Sequence, residues 1–121
     1  MKNKTTFIVA VGIDIEEVGR FRKLMFRKNK NFYEKIFTQA EIEYCLKKKD
    51  PYPYFTARFC AKEAFIKACP EKIASLSYIE IIKSNKKPKI KTQLIKDKIH
   101  LSLSHTSNYA SAVVVIEKTR Q

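Results

Sequence analysis

The sequence predicts an α+β fold, with helices packed on a mostly antiparallel sheet in a single domain, residues 1–121. Three observations carry this. Helical periodicity is gathered in the first half of the chain and strand-like alternation in the second, without the interleaving that βαβ units would give. A chain of 121 residues suits one domain with a modest core. Hydrophobic residues at 45% and aromatics at 12% are enough to fold it and too many for a disordered basic tail.

The elements follow in order. Phe7–Ile15 (FIVAVGIDI) is β-branched and apolar on both alternating faces, which predicts a buried strand. From Glu16 the period changes: Val18, Phe21, Leu24 and Met25 share one helical face, and Arg20, Lys23 and Arg27 another. This helix should end in the polar stretch Lys28–Asn31. Phe37–Ile42 has a complete helix start, with Thr38 as N-cap, Glu41 closing a capping box, and Phe37 and Ile42 at the staple positions. That helix should run to about Lys48, where Asp50-Pro51-Tyr52-Pro53 breaks it. Another should span about Tyr54 to Cys69 and end at Pro70. Ser77–Ile82, about Lys89–Ile95, Lys98–Ser104 and Tyr109–Glu117 read as strands.

The charge is the feature that asks for a cause. Lys and Arg number 25 against 12 Asp and Glu, a formal +13. The surplus is spread over both halves, so there is no basic tail on a neutral body. Arg20, Arg22, Lys23, Arg27, Lys28 and Lys30 lie together with no acid among them, and seven lysines crowd residues 83–98. Such a chain suits an acidic partner: nucleic acid, a phosphorylated small molecule or an acidic protein. With two glycines it has no Gly-rich phosphate loop. No apolar run is long enough for a membrane span. Met1–Thr6 is basic and Phe7–Ile13 apolar, but Asp14 follows without a cleavage site, which argues against a secretory signal. Cys45, Cys60 and Cys69 are odd in number and lack metal-site spacing, so they read as free thiols in a reducing cytoplasm.

Three places could carry chemistry. Asp14 directly follows an apolar strand, where a carboxylate is costly unless it is paired, capping or bound to metal; position alone favours an N-cap for the next helix. The helix from Tyr54 is apolar in nearly every direction yet carries Arg58, Lys62, Glu63 and Lys67. Glu63 and Lys67 are four apart and suit a simple ion pair. Two cations and a carboxylate in one buried turn also suit a phosphate and a metal. Finally, Ser102-Leu103-Ser104-His105-Thr106 ends a polar strand face with a histidine beside hydroxyls, which suits phosphate binding. A Ser-His protease is poorly supported, because no nucleophile-elbow glycines are present.

In order and spacing, four stretches resemble the small holo-acyl-carrier-protein synthases, the short type of 4′-phosphopantetheinyl transferase. They are Val11-Gly12-Ile13-Asp14-Ile15 with Arg20-Phe21; Ile36-Phe37-Thr38 with Glu41; Arg58 through Ala68 (RFCAKEAFIKA); and Ser102-Leu103-Ser104-His105-Thr106 with Tyr109-Ala110. The resemblance implies the 4′-phosphopantetheinyl transferase fold and a reaction: transfer of the 4′-phosphopantetheine arm of coenzyme A to a serine of an apo-acyl carrier protein. Adenosine 3′,5′-bisphosphate is released, and the product serves fatty acid and lipid synthesis. It implies Mg²⁺ held at the positions of Asp14 and Glu63, a base drawn from Glu63 or His105, and Lys67 on the transferred phosphate. Arg58 and Lys62 would contact further phosphates, and Ser104, His105 and Thr106 would line the nucleotide. It implies docking of the acidic carrier protein on Arg20, Lys23 and Arg27, and a homotrimer with sites between protomers. Two stretches depart from the pattern: Cys69–Ala74 has no glycine where the family has a Gly-rich loop, and Lys86-Lys87-Pro88 stands for a Gly-Lys-Pro turn. The rival reading from charge is a basic nucleic-acid-binding module, with Tyr52, Tyr54, Tyr78 and Tyr109 as stacking groups.

Overall fold

A computed structural model of the chain describes residues 4–120. Met1–Asn3, which begin the basic stretch weighed as a leader, and Gln121 lie outside the described residues. The elements run β1 (Thr5–Glu17), α1 (Val18–Lys23), α2 (Lys30–Ile36), α3 (Gln39–Leu46), α4 (Tyr52–Ala68), β2 (Glu80–Ser84), β3 (Lys87–Lys91), β4 (Lys98–His105) and β5 (Tyr109–Arg120). Short 3-10 turns lie at Phe26–Lys28 and Leu76–Tyr78. Strands pair in the order β1-β5-β4, with β2-β3 as a separate hairpin, and every pairing is antiparallel. The expected α+β architecture holds, in two sheets.

Helix α4 is the axis of the molecule. Its small residues Ala57, Ala61, Ala64 and Ala68 pack, with Phe65, against Ala110, Ala112, Val114 and Ile116 of β5. Small side chains on both sides let helix and sheet approach closely. Gly12 on β1 is part of this fit: a Cβ there would overlap the Ala64 carbonyl oxygen. The opposite side of α4 packs into an aromatic cluster of Phe21, Tyr33, Phe37 and Phe55. A helix with two buried faces has no single apolar stripe, which accounts for the pattern seen in the sequence.

The capping box forms as expected. Glu41 N–H donates to Thr38 Oγ1 at 3.3 Å, and Thr38 N–H donates to Glu41 Oε1 at 2.8 Å. Other expectations are corrected. The long helix from Glu16 breaks after Lys23, because the Tyr33 hydroxyl from α2 caps its end, donating to the carbonyls of Leu24 (2.7 Å) and Phe21 (3.3 Å). Leu24 and Met25 therefore point outward, 40% and 37% exposed, while Val18 and Phe21 are buried. Helix α2 was not anticipated. The first expected late strand begins at Glu80, since Ser75 caps a 3-10 turn instead. The next begins at Lys87, after a tight turn in which Asn85 and Lys86 take positive φ (52° and 65°). Lys86 thus takes the left-handed conformation without being glycine, at a cost of about 1–2 kcal/mol.

Strand β1 is not buried on both faces. It is an edge strand. Gly12 and Asp14 face α4, while Val11, Ile13 and Ile15 are 56%, 66% and 67% exposed. Val113 and Val115 of β5 lie opposite Ile13 and Val11, so an apolar patch covers the outer face of the sheet.

Candidate active site

Asp14 does not cap a helix. It lies within β1, opposite Ala112, and residue Glu17 takes the cap position without a side-chain bond. Antiparallel pairing turns Asp14 toward α4, where it is 9% exposed. Its Oδ1 accepts a hydrogen bond from Lys67 Nζ at 3.2 Å, and its Oδ2 is buried with no hydrogen-bond partner. Lys67 also donates to the Ile13 carbonyl at 2.9 Å, on the free edge of β1. The expected Glu63–Lys67 ion pair does not form, because Lys67 turns to β1 instead.

Glu63, one turn before Lys67, is half-buried. Burial first, then the charge of Asp14, raise its carboxyl above the usual carboxylate range, with Lys67 opposing. Glu16, two residues beyond Asp14 and so on the same strand face, joins this corner. Burial and Asp14 raise it, against an ion pair with Arg20 at 2.6 Å. Cys60 lies beneath, donating to the Ala110 carbonyl at 3.3 Å; burial, then Asp14 and Glu16, push its thiol up. The helical reading of Glu16 hid it; the period-two spacing from Asp14 was the signal that could have found it. A groove of about 480 Å³ lined by Ile13, Asp14, Ile15, Lys67 and Ser111 opens from this corner toward the apolar outer face.

The corner fits a hard divalent cation. Its carboxylates offer oxygen ligands, Asp14 raises the proton affinity of Glu63 and Glu16, and one buried carboxylate oxygen lacks any donor. Among the described residues no group of three or more His, Cys, Asp or Glu converges as a metal cage.

Lys62 is elsewhere. It is fully buried, and its Nζ donates to Glu41 Oε1 (2.7 Å), the Ile36 carbonyl (2.8 Å) and the Leu76 carbonyl (3.1 Å). Three acceptors satisfy all three donors, so the expected phosphate contact is closed to it. Arg58 is 4% exposed, and its guanidinium lies 4.0 Å from the Tyr44 ring centroid. With Tyr54 and His105 it lines a second cavity of about 190 Å³. His105 meets the Tyr54 ring edge-on at 4.8 Å. Ser104 and Thr106 do not join it there: Ser104 lies opposite Ser111, and the Thr106 hydroxyl is spent on the β4–β5 turn, accepting from Asn108 and Tyr109 N–H at 3.1 Å each.

The basic segment is also rearranged. Arg20 and Lys23 lie on α1, but Arg27 lies on the following 3-10 turn, so they do not form one helix face. All three are exposed. Arg20 pairs with Glu16, and Arg22 with Asp50 at 2.8 Å. Beside them Phe21, Leu24, Phe32 and Phe59 line a small apolar groove with Arg20.

The fold and this corner define a class. Residues 10–115 match the family described as the 4′-phosphopantetheinyl transferase superfamily, and the chain belongs to it. It is 42% identical over 114 residues to a holo-[acyl-carrier-protein] synthase of Chlamydia caviae, covering 87% of this chain and 93% of that one. A protein of the same name from Thermodesulfovibrio yellowstonii is 40% identical, covering 90% and 98%. Among solved structures, the Bacillus anthracis holo-(acyl-carrier-protein) synthase in complex with CoA (3′,5′-ADP) superposes with a TM-score of 0.79 at 34% identity, covering 91% of this chain and 96% of that one. The Helicobacter pylori enzyme in complex with coenzyme A gives 0.76 at 32%, covering 88% and 98%. The nucleic-acid reading falls with this match. Its tyrosines also fail to form one face: the Tyr52 hydroxyl is tied to Phe26 N–H inside the aromatic cluster, while Tyr78 and Tyr109 are exposed on different elements.

Proposed function

We propose that this chain, as one transferase domain over residues 1–121, moves the 4′-phosphopantetheine arm of coenzyme A to a serine of an apo-acyl carrier protein, releasing adenosine 3′,5′-bisphosphate. The single observation that carries the reading is the corner where Asp14 of β1 meets Glu63 and Lys67 of α4, with an orphaned carboxylate oxygen.

Asp14 and Glu63 would hold Mg²⁺, which when bound supplies positive charge beside the coenzyme A diphosphate. Lys67, 54% exposed at its side chain, is free to turn from Asp14 toward the transferred phosphate and stabilise charge there. Glu63 is the better candidate base for the serine hydroxyl: its environment lifts its proton affinity, and it stands beside Lys67. His105 groups with Arg58 in the second cavity, which suits the nucleotide, with Ser104 and Thr106 shaping the strand end beside it. Arg20, Lys23 and Arg27 are exposed cations around an apolar groove, which suits an acidic carrier protein with an apolar contact at its centre.

The apolar patch of Val11, Ile13, Ile15, Val113 and Val115 is what an interface between copies needs. The groove from Asp14 opens onto it, so assembly as a homotrimer would complete each site from two protomers. The product would supply fatty acid and lipid synthesis in the cytoplasm.

The test is direct. The protein is incubated with coenzyme A, Mg²⁺ and several apo-carrier proteins, and the carriers are weighed by mass spectrometry. A gain of one phosphopantetheine arm is expected; no gain on any carrier would refute the assignment.

A further inference from the structure

Arg20 belongs to two places at once. It lines the small apolar groove with Phe21, Leu24, Phe32 and Phe59, the surface assigned above to the carrier protein. Its guanidinium also donates to Glu16 Oε1 at 2.6 Å. Glu16 is two residues beyond Asp14 and so shares its face of β1. Glu16 is mostly buried, whereas Arg20 is mostly exposed. Helix α1 follows β1 directly, so Arg20 can change partners by turning its side chain alone.

The charges in this corner are unequal. Among the described residues Lys67 pairs with Asp14, Arg20 pairs with Glu16, and Glu63 pairs with no cation. Three carboxylates therefore meet two cations, and Asp14 keeps a buried oxygen without a donor. An acidic group from another protein that took Arg20 would leave the corner with two uncompensated negative charges, the complement of one divalent cation. A mostly buried Glu16 that loses its partner cannot recover the loss from water, so it draws in another cation.

We propose that the Arg20–Glu16 pair couples carrier docking to cation binding. Glu16 is a positioning residue: it holds Arg20 away from an acidic partner until a divalent cation occupies the Asp14–Glu63 corner, and docking on Arg20 in turn tightens the corner's hold on that cation. The two effects are one coupling free energy, so each ligand must strengthen the other by the same factor. This rests on the cation corner and the docking groove read above.

Binding alone tests the coupling, without coenzyme A and without turnover. Mn²⁺ is the probe cation, read by electron paramagnetic resonance. In the absence of carrier, Arg20→Gln should bind Mn²⁺ about fivefold or more tightly than the wild type. Arg20→Gln/Glu16→Gln should lose that gain. Lys30→Gln, which removes a cation exposed on α2 with no carboxylate partner, should match the wild type. In calorimetry at fixed ionic strength, Mn²⁺ should tighten binding of a carrier whose acceptor serine is alanine by a similar factor on the wild type. On Glu16→Gln the same carrier should bind tightly with or without Mn²⁺. Unchanged Mn²⁺ affinity in Arg20→Gln, a gain that persists in the double variant, or an Mn²⁺ effect on carrier binding that survives in Glu16→Gln would overturn the coupling. If the wild type binds neither Mn²⁺ nor carrier, the transferase reading falls and the coupling with it; if it binds both independently, the coupling alone falls.

Discussion

Lys62 and Lys67 lie five residues apart on α4, and each meets a carboxylate from another element. The middle of the helix is closed. Lys62 is fully buried against Glu41, all three of its protons are taken, and Glu41 spends its second oxygen on the Ile81 N–H at 2.8 Å. The far end is open. Lys67 is half exposed, its contact with Asp14 is 3.2 Å, and Asp14 keeps a buried oxygen without a donor. Similar charges in one helix thus serve two ends. A complete network ties α3, α4 and β2 together; an incomplete one leaves a buried carboxylate oxygen unsatisfied at the β1 end.

Stability should separate the two regions most sharply. Lys62→Met leaves Glu41 buried without its cation and should cost about 3–5 kcal/mol in urea unfolding. The double variant Lys62→Met/Glu41→Leu should recover much of that loss. Lys67→Met should cost less, about 1 kcal/mol, because Lys67 is half exposed and its contact with Asp14 is long. Equal losses at Lys62 and Lys67 would erase the contrast.

Charge reversal at Arg20 or Lys23 should raise the apparent KM for carrier protein severalfold, leave kcat nearly unchanged and flatten its dependence on salt. Arg27→Glu should do less, because Arg27 lies on the 3-10 turn rather than on α1. An unchanged KM at Arg20 and Lys23 would remove α1 from the docking surface.

The smallest effect concerns the open corner itself. A raised Glu63 pKa means that the fold binds this proton more tightly than the unfolded chain does. Its ionisation therefore costs stability, a cost that grows as pH rises past 4.5 and is present at pH 7. In metal-free buffer Glu63→Gln should shift the urea midpoint slightly upward at pH 7, and the shift should vanish below pH 4.5. A downward shift at pH 7 would make Glu63 a structural residue.

Much of this was legible in the sequence, for local reasons. The capping box at Thr38–Glu41 depends on residues three apart, and the apolar α4 with charges inside it announced a buried helix. What stayed hidden was set at long range. The break after Lys23 comes from a hydroxyl on α2, and the exposure of Leu24 and Met25 follows from that break. Lys62 and Lys67 look alike in sequence; only the placement of Glu41 and β1 closes one into a buried network and leaves the other half exposed beside Asp14. The exposed valines and isoleucines of β1 read as core because an exposed apolar patch and a buried face share a composition.

The central claim is that the Asp14–Glu63–Lys67 corner performs the transfer while the Lys62–Glu41 pair only holds it in place. Its most direct test is kcat for Glu63→Gln at saturating coenzyme A, carrier protein and Mg²⁺, on protein whose urea midpoint matches or slightly exceeds the wild type. A fall of about a thousandfold is predicted. A rate near that of the wild type would contradict the claim and move the reaction centre away from Glu63.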